Sequence, residues 1–147
     1  MKQRGFTLIE LLWVLVIAAL LMVLVLLAIQ QGRNSRKDND READAARYLN
    51  ATKTWTSDNN GNLPGLGDIN NIVTTYIGNT FVNPEGVPWS LVWSASQPPG
   101  FSPATNEMVI GSGNVKCDSS GVVPGGGSRQ VAVAVLLESG NVYCVTQ

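Results

Sequence analysis

The chain has 147 residues, of which 44% are hydrophobic and 14% are charged, and its formal net charge is −1. It contains no histidine and only two cysteines, which excludes a Cys–His zinc site and a cysteine nucleophile paired with histidine. Ten basic residues are present, and only Lys116 and Arg129 lie beyond position 53. The C-terminal part therefore lacks the basic footprint of a nucleic-acid-binding domain. We expect no metal and no cofactor.

A long apolar run dominates the N-terminal region. It carries no charge from Leu11 to Ile29, which is close to the roughly 20 residues that cross a bilayer as a helix. It is longer than the core of an ordinary secretory signal, and no convincing cleavage site follows it. We therefore predict that the run is retained. Glu10 directly precedes it, and because a carboxylate within the membrane costs on the order of 2.5–3.5 kcal/mol, Glu10 is a functional candidate that needs a partner.

The residues before the run carry a specific motif. A basic leader, Met1 to Arg4, is followed by Gly5 and by the sequence FTLIE, so that the motif reads GFTLIELL. This stretch resembles the class III signal of type IV prepilins and pseudopilins. The resemblance implies that a membrane-embedded prepilin peptidase cleaves between Gly5 and Phe6, and that Phe6 is then N-methylated. It also implies that Glu10 meets the N-terminal amine of Phe6 in a neighbouring subunit during filament assembly.

An ordinary signal anchor, with Glu10 near the lipid headgroups, remains an alternative. Basic residues flank the run on both sides, Lys2 and Arg4 before it and residues 33, 36 and 37 after it. The positive-inside rule alone therefore does not place the C-terminal part outside the cell. The resemblance implies that orientation, with a single-pass precursor in the cytoplasmic membrane and a pilus at the cell surface after assembly.

The helix is predicted to continue to about residue 57. Apolar residues recur at helical spacing and form a narrow stripe that can receive a sheet; they are Ala45, Tyr48, Leu49, Ala51 or Thr52, and Trp55. The charges between residues 33 and 53 are expected to form a solvated face. Many pilins carry a proline and a glycine at the places occupied here by Leu27 and Ala19, so the weak point is expected at Gly32 instead.

The remaining residues predict a small head of mixed structure. Asp68 is expected to cap a short helix that ends at Gly78, followed by strands near residues 89–93, 108–110 and 115–117. Residues 129–138 and 141–146 form a predicted hairpin, in which Val131, Val133 and Val135 share one face. The predicted fold class is α+β and pilin-like: a long N-terminal helix, with a transmembrane first half, packed on a small antiparallel sheet. The predicted parts are a leader (1–5), a hydrophobic helix (6–31), its amphipathic continuation (32–57) and the head (58–147).

Other motifs in the head have modest interpretations. Cys117 and Cys144 are expected to form a disulfide that contributes roughly 3–4 kcal/mol, with two buried free thiols as the alternative. The glycine-rich stretch GVVPGGGSR lacks the ending of a phosphate-binding loop and is interpreted as a flexible loop. The stretch DNNGN lacks the later glutamate of a calcium loop. Trp89 and Trp93 are expected to serve packing rather than sugar binding.

These features favour a structural subunit of a type IV pilus with no enzymatic activity. The resemblance implies a homopolymer with itself and other pilins, and as partners a prepilin peptidase and methyltransferase, a platform protein and an assembly ATPase. A pseudopilin of a type II secretion or DNA-uptake machine is the alternative within the same class. A membrane-anchored surface binding module is the alternative from another class.

Overall fold

The computed structural model describes residues 7–78, 80–94 and 103–147. It divides into two compact units, Met1–Ser35 and Arg36–Gln147. Helix α1 runs from Leu8 to Asp58 and provides the described structure of the first unit and the first element of the second. The cleavage-site residues Gly5 and Phe6 lie outside the described residues.

The first unit is an exposed apolar helix. Large hydrophobic side chains from Leu11 to Ile29 are between 44% (Val16) and 69% (Leu15 and Met22) exposed. Among the described residues, α1 is the one helix long and apolar enough to cross a membrane. The side chains of this unit therefore lack an apolar environment within their own chain.

The second unit, called the head, combines the last part of α1 with short elements. Helix α2 (Ile69–Ile72) continues into a π-helical turn (Val73–Ile77). The strands are β1 (Ser90–Trp93), β2 (Glu107–Ser112), β3 (Val115–Asp118), β4 (Gly121–Pro124), β5 (Val131–Leu136) and β6 (Val142–Thr146). They form a four-stranded sheet in the order β1-β2-β5-β6 and a two-stranded sheet of β3 and β4.

The main core lies between α1 and one face of the four-stranded sheet. All members of the predicted apolar stripe are buried: Ala45, Tyr48, Leu49, Ala51, Thr52 and Trp55. The hydrophobic members of the stripe pack with Val131, Val133 and Val135 of β5, each fully buried, because side chains two residues apart share one face of a strand. The prediction of a long helix packed on a small, largely antiparallel sheet is confirmed.

The other face of the sheet is also covered. Ala132 and Ala134 of β5 contact Val115 and Val122, which lie on the two strands of the β3–β4 hairpin. Alanine at these positions lets the hairpin approach closely, since its side chain ends at Cβ. The sheet is therefore enclosed between α1 on one side and this hairpin on the other.

Several local predictions need correction. Strand β1 pairs with β2 in parallel, although an all-antiparallel sheet was expected; the other pairs are antiparallel. Asp68 makes no capping bond to the short helix, because its carboxylate accepts the backbone N–H of Gly65 at 2.9 Å. The helix does end at Gly78, which adopts a positive φ of 104°.

The glycine-rich stretch is also more ordered than expected. Its first four residues, Gly121–Pro124, form β4 and pair with β3. The loop that follows is held by Gln130, whose Oε1 accepts the backbone N–H of Gly127 at 2.7 Å. The interpretation as a flexible loop was therefore wrong for the segment that covers the sheet.

Candidate functional site

The first turn of α1 is closed by a reciprocal bond between Thr7 and Glu10. The backbone N–H and the hydroxyl of Thr7 both donate to Glu10 Oε2, at 2.9 and 2.8 Å. The backbone N–H of Glu10 approaches Thr7 Oγ1 at 3.4 Å. This arrangement is a capping box, in which a threonine and a glutamate three residues later satisfy each other's backbone groups at a helix start.

The capping box gives Glu10 a structural partner that sequence reasoning missed. The spacing Thr-x-x-Glu is itself a recognised helix-start signature, so the signal was present in residues 7–10. Both bonds from Thr7 use Oε2 of the carboxylate. Glu10 therefore holds the start of α1 while Oε1 can still accept a donor from another molecule. The expected pairing with Phe6 of a neighbour stays a prediction.

Within the head, Arg41 joins α1 to two distant loops. It is 1% exposed, so its guanidinium must find partners inside the fold. Its Nη1 donates to the Leu136 carbonyl at 2.7 Å, and its Nη2 donates to Glu138 at 2.7 Å and to Glu85 at 3.1 Å. The expectation of a solvated charged face is wrong at this position.

The same network includes Lys37, whose Nζ lies 2.9 Å from Glu85 Oε1. The hydrogen bond to Glu85 raises the pKa of Lys37. Burial raises the pKa of Glu85, but Lys37 and Arg41 outweigh that effect and hold the pKa below its ordinary value. Two cations and two carboxylates thus balance one another where α1 meets the loops.

The aromatic residues of the head serve packing. Trp89 is 7% exposed, and its indole N–H donates to Asp44 at 2.9 Å. Phe81 lies between the rings of Tyr48 and Trp89, at centroid distances of 6.3 and 6.4 Å. Trp93 packs against the same core. The prediction that the two tryptophans serve packing is confirmed for contacts within the chain.

The predicted disulfide between Cys117 and Cys144 is present, with a Cα–Cα distance of 5.5 Å. It joins β3 of the two-stranded sheet to β6 at the edge of the four-stranded sheet. The bond therefore fixes the covering hairpin to the sheet beneath it.

The described residues of the head also form a shallow groove. The groove, of about 580 Å³, lies beside α1 and is lined by small and polar side chains of the helix, by Arg47, and by Tyr76 and Ile77. In the turn DNNGN, the Asp58 carboxylate accepts the Tyr76 hydroxyl at 2.8 Å. Among residues 7–78, 80–94 and 103–147, no group of three or more His, Cys, Asp or Glu side chains is placed to hold a metal ion.

These features define a membrane-type apolar helix that carries a small α+β head of pilin-like architecture. Residues 1–28 match the family model described as the prokaryotic N-terminal methylation motif. This motif is the class III signal of type IV pilins, and it indicates a type IV pilin-like or pseudopilin protein. No curated protein and no solved structure matches the chain.

Proposed function

We propose that this protein is a structural subunit of a type IV pilus. The observation that carries the proposal is the N-terminal methylation motif at the start of a helix whose apolar side chains are exposed from Leu11 to Ile29. Such a surface needs either lipid or other apolar helices around it. In the precursor this apolar surface is surrounded by membrane lipid, and in the filament it is surrounded by the apolar helices of other subunits.

The proposed sequence of events begins with a precursor anchored in the cytoplasmic membrane. Prepilin peptidase removes residues 1–5, and Phe6 is N-methylated. The platform protein and the assembly ATPase then extract the chain, and the apolar helices of successive copies stack in a filament at the cell surface. The head has no catalytic step in this scheme.

Glu10 has two tasks in the proposal. Through Oε2 it closes the first turn of its own helix, and through Oε1 it accepts the amine of Phe6 from a neighbouring subunit. An unpaired carboxylate in an apolar environment is strongly disfavoured. Pairing only at the correct stagger would therefore make Glu10 a signal for correct placement of each new subunit.

The first test is mass spectrometry of the N-terminal peptide of this protein from filaments sheared off intact cells. We expect an abundant peptide that begins at methylated Phe6. The same peptide found only in membranes would move the assignment to a pseudopilin. An intact Met1 leader at steady state would overturn the filament proposal in favour of a plain membrane anchor.

The substitution Glu10→Gln separates the two tasks of this residue. Glutamine serves as well as glutamate in a capping box but carries no charge for the Phe6 amine. We expect normal processing and a loss of sheared filaments. Filament yield equal to that of the unaltered protein would show that the charge of Glu10 has no part in assembly.

A further inference from the structure

The turn that ends α1 contains a chemically labile pair of residues. Asn60 is followed by Gly61, and this is the only Asn–Gly sequence in the chain. In such a pair the backbone nitrogen of the glycine can attack the side-chain carbonyl carbon of the asparagine, because glycine has no Cβ to hinder the approach. Asn60 is exposed, so water can reach the product of that attack. The pair is therefore a candidate for spontaneous covalent modification.

The geometry of the turn favours this labile pair. Asn60 and Gly61 both adopt a positive φ, of 56° and 79°, which asparagine and glycine tolerate better than other residues do. A Cβ at Gly61 would also lie 3.0 Å from Nη2 of Arg129. The way in which the helix ends therefore explains why an asparagine precedes a glycine here.

In the folded chain the attacking nitrogen is already engaged. The N–H of Gly61 donates to the Thr56 carbonyl at 2.8 Å, a bond of the kind that commonly closes the C-terminal end of a helix. Attack on Asn60 requires that this N–H leave Thr56 and that the backbone around it rotate. Modification therefore needs a local opening of the turn, and its rate should follow the population of the open form.

Arg129 ties the turn closed from a distant part of the sequence. It is the last residue of the glycine-rich stretch GVVPGGGSR, and its Nη2 donates to the Gly61 carbonyl at 2.7 Å across 68 residues of chain. The neighbouring bonds are local: the side-chain amide of Asn59 donates to the Trp55 carbonyl at 2.8 Å, and the N–H of Asn62 donates to the Asn59 carbonyl at 3.1 Å. The contact with Arg129 thus holds Gly61 itself against the rest of the head.

We propose that Asn60 is a site of spontaneous deamidation whose rate is controlled by Arg129. The nitrogen of Gly61 forms a bond to Cγ of Asn60, the bond from Cγ to the side-chain nitrogen breaks, and ammonia leaves with the proton of the Gly61 amide. Water then opens the resulting succinimide ring at either carbonyl, which leaves aspartate or isoaspartate at position 60. Water is the only co-reactant in both steps.

The modification adds a negative charge where α1 ends. In the isoaspartyl product the main chain also passes through an additional methylene group at this point, which displaces the Gly61 carbonyl from Arg129. The tie between the turn and the glycine-rich stretch is then weakened in older copies of the chain. The inference is independent of the proposed function, since it uses contacts within a single chain.

The test follows deamidation of the full chain in detergent micelles and mildly alkaline buffer. Trypsin releases the peptide 54–116 after increasing times, its mass reports the exchange of the amide for a carboxyl group, and fragmentation assigns the exchange to Asn60. The unaltered protein in urea gives the rate for the open turn, which should exceed the rate in the folded chain. This comparison needs no variant.

Arg129→Met removes the donor to Gly61 and keeps an unbranched side chain. We expect deamidation at Asn60 to become about fivefold faster, because an exposed hydrogen bond that holds the turn closed has been lost. Lys116→Met is the matched control, since it removes a positive charge from another exposed side chain of the head. Its rate should equal that of the unaltered protein, and urea unfolding of both variants checks that the fold as a whole is retained.

Four results would overturn the inference. Equal rates in the folded chain and in urea would show that the turn does not control the reaction. Equal rates in the unaltered protein and in Arg129→Met would show that Arg129 does not hold the turn closed. The same acceleration in Lys116→Met would assign the effect to charge in general instead of the contact with Gly61. Absence of conversion at Asn60 even in urea would remove the site itself.

Discussion

Arg41 brings a full positive charge into the head, where 1% of its surface remains exposed. Its partners lie 44, 95 and 97 residues away along the chain. A buried charge that loses its partners is strongly destabilising, although an intact buried pair adds little compared with a well-packed apolar group. The role of Arg41 is therefore to hold α1 in a defined position against the loops that carry Glu85 and Glu138.

We predict that Arg41→Ala lowers the free energy of unfolding of the head by about 3 kcal/mol, because it leaves Glu85 and Glu138 with one cation fewer. Urea unfolding of the full chain in detergent micelles, followed by tryptophan fluorescence, measures the change, since Trp55 and Trp89 are buried. Arg36→Ala is the control, because this exposed side chain should contribute within about 0.5 kcal/mol. Equal effects of the two variants would contradict the role given to Arg41.

The lowered pKa of Glu85 predicts how the stability of the head depends on pH. Its pKa in the folded chain lies below the ordinary value of 4.5, so the unfolded chain binds the proton more readily. The stabilisation is present above the ordinary value and is lost as the pH falls through the lower, folded value. Urea midpoints of the unaltered protein should decrease between about pH 6 and pH 3. Glu85→Gln should show a smaller decrease, and an unchanged pH dependence in that variant would exclude Glu85 as the cause.

At the scale of elements, the disulfide compensates for the small size of the two-stranded sheet. Strands β3 and β4 have four residues each, and an isolated hairpin of this kind is marginally stable in water. Packing of Val115 and Val122 on Ala132 and Ala134 holds the hairpin on one side. The bond from Cys117 to Cys144 holds it to the edge strand β6.

We predict that replacing both cysteines by serine lowers the free energy of unfolding by about 2–4 kcal/mol. Urea unfolding in micelles again gives the value. The unaltered protein treated with a reductant should show the same loss, because reduction removes the same cross-link without changing the packing. A loss in the serine variant alone would point to altered packing instead of the cross-link.

The elements also show where sequence reasoning succeeds. The apolar stripe of α1 and the alternation of β5 each depend on residues close together in the sequence, and periodicity revealed both. The parallel pairing of β1 with β2 was not predictable in this way, because it depends on how the chain returns to the sheet. The role of Arg41 was missed for a related reason: nothing near it in sequence indicates burial. The capping box of Thr7 and Glu10, by contrast, lies within four adjacent residues, and their Thr-x-x-Glu spacing was enough to predict it.

At the scale of the whole molecule, the hydrophobic core of the described residues is confined to the head. Both hydrophobic clusters are formed by residues from Ala45 onward, and the unit begins at Arg36. The core therefore needs no side chain from the apolar run. The two units are distinct in composition as well as in contacts.

We predict that a chain beginning at Arg36 folds without detergent as a monomer with the Cys117–Cys144 disulfide, because it keeps the whole core. Size-exclusion chromatography and near-ultraviolet circular dichroism provide the measurement. A chain beginning at Leu49 is the matched control, since it lacks Arg41, Ala45 and Tyr48. Aggregation of both chains would show that the head depends on the first unit after all.

The long-range contacts of α1 also set an order of events during synthesis. The stripe of the helix is made early, yet it packs on Val131, Val133 and Val135, and Arg41 is bound by the carbonyl of Leu136 and the carboxylate of Glu138. Contacts between residues far apart in sequence form late, and proteins that depend on them fold slowly. The nascent chain therefore carries an apolar helix face without its sheet until almost all of the head has been translated. During that interval the emerging polypeptide is at its most vulnerable to proteases and to aggregation.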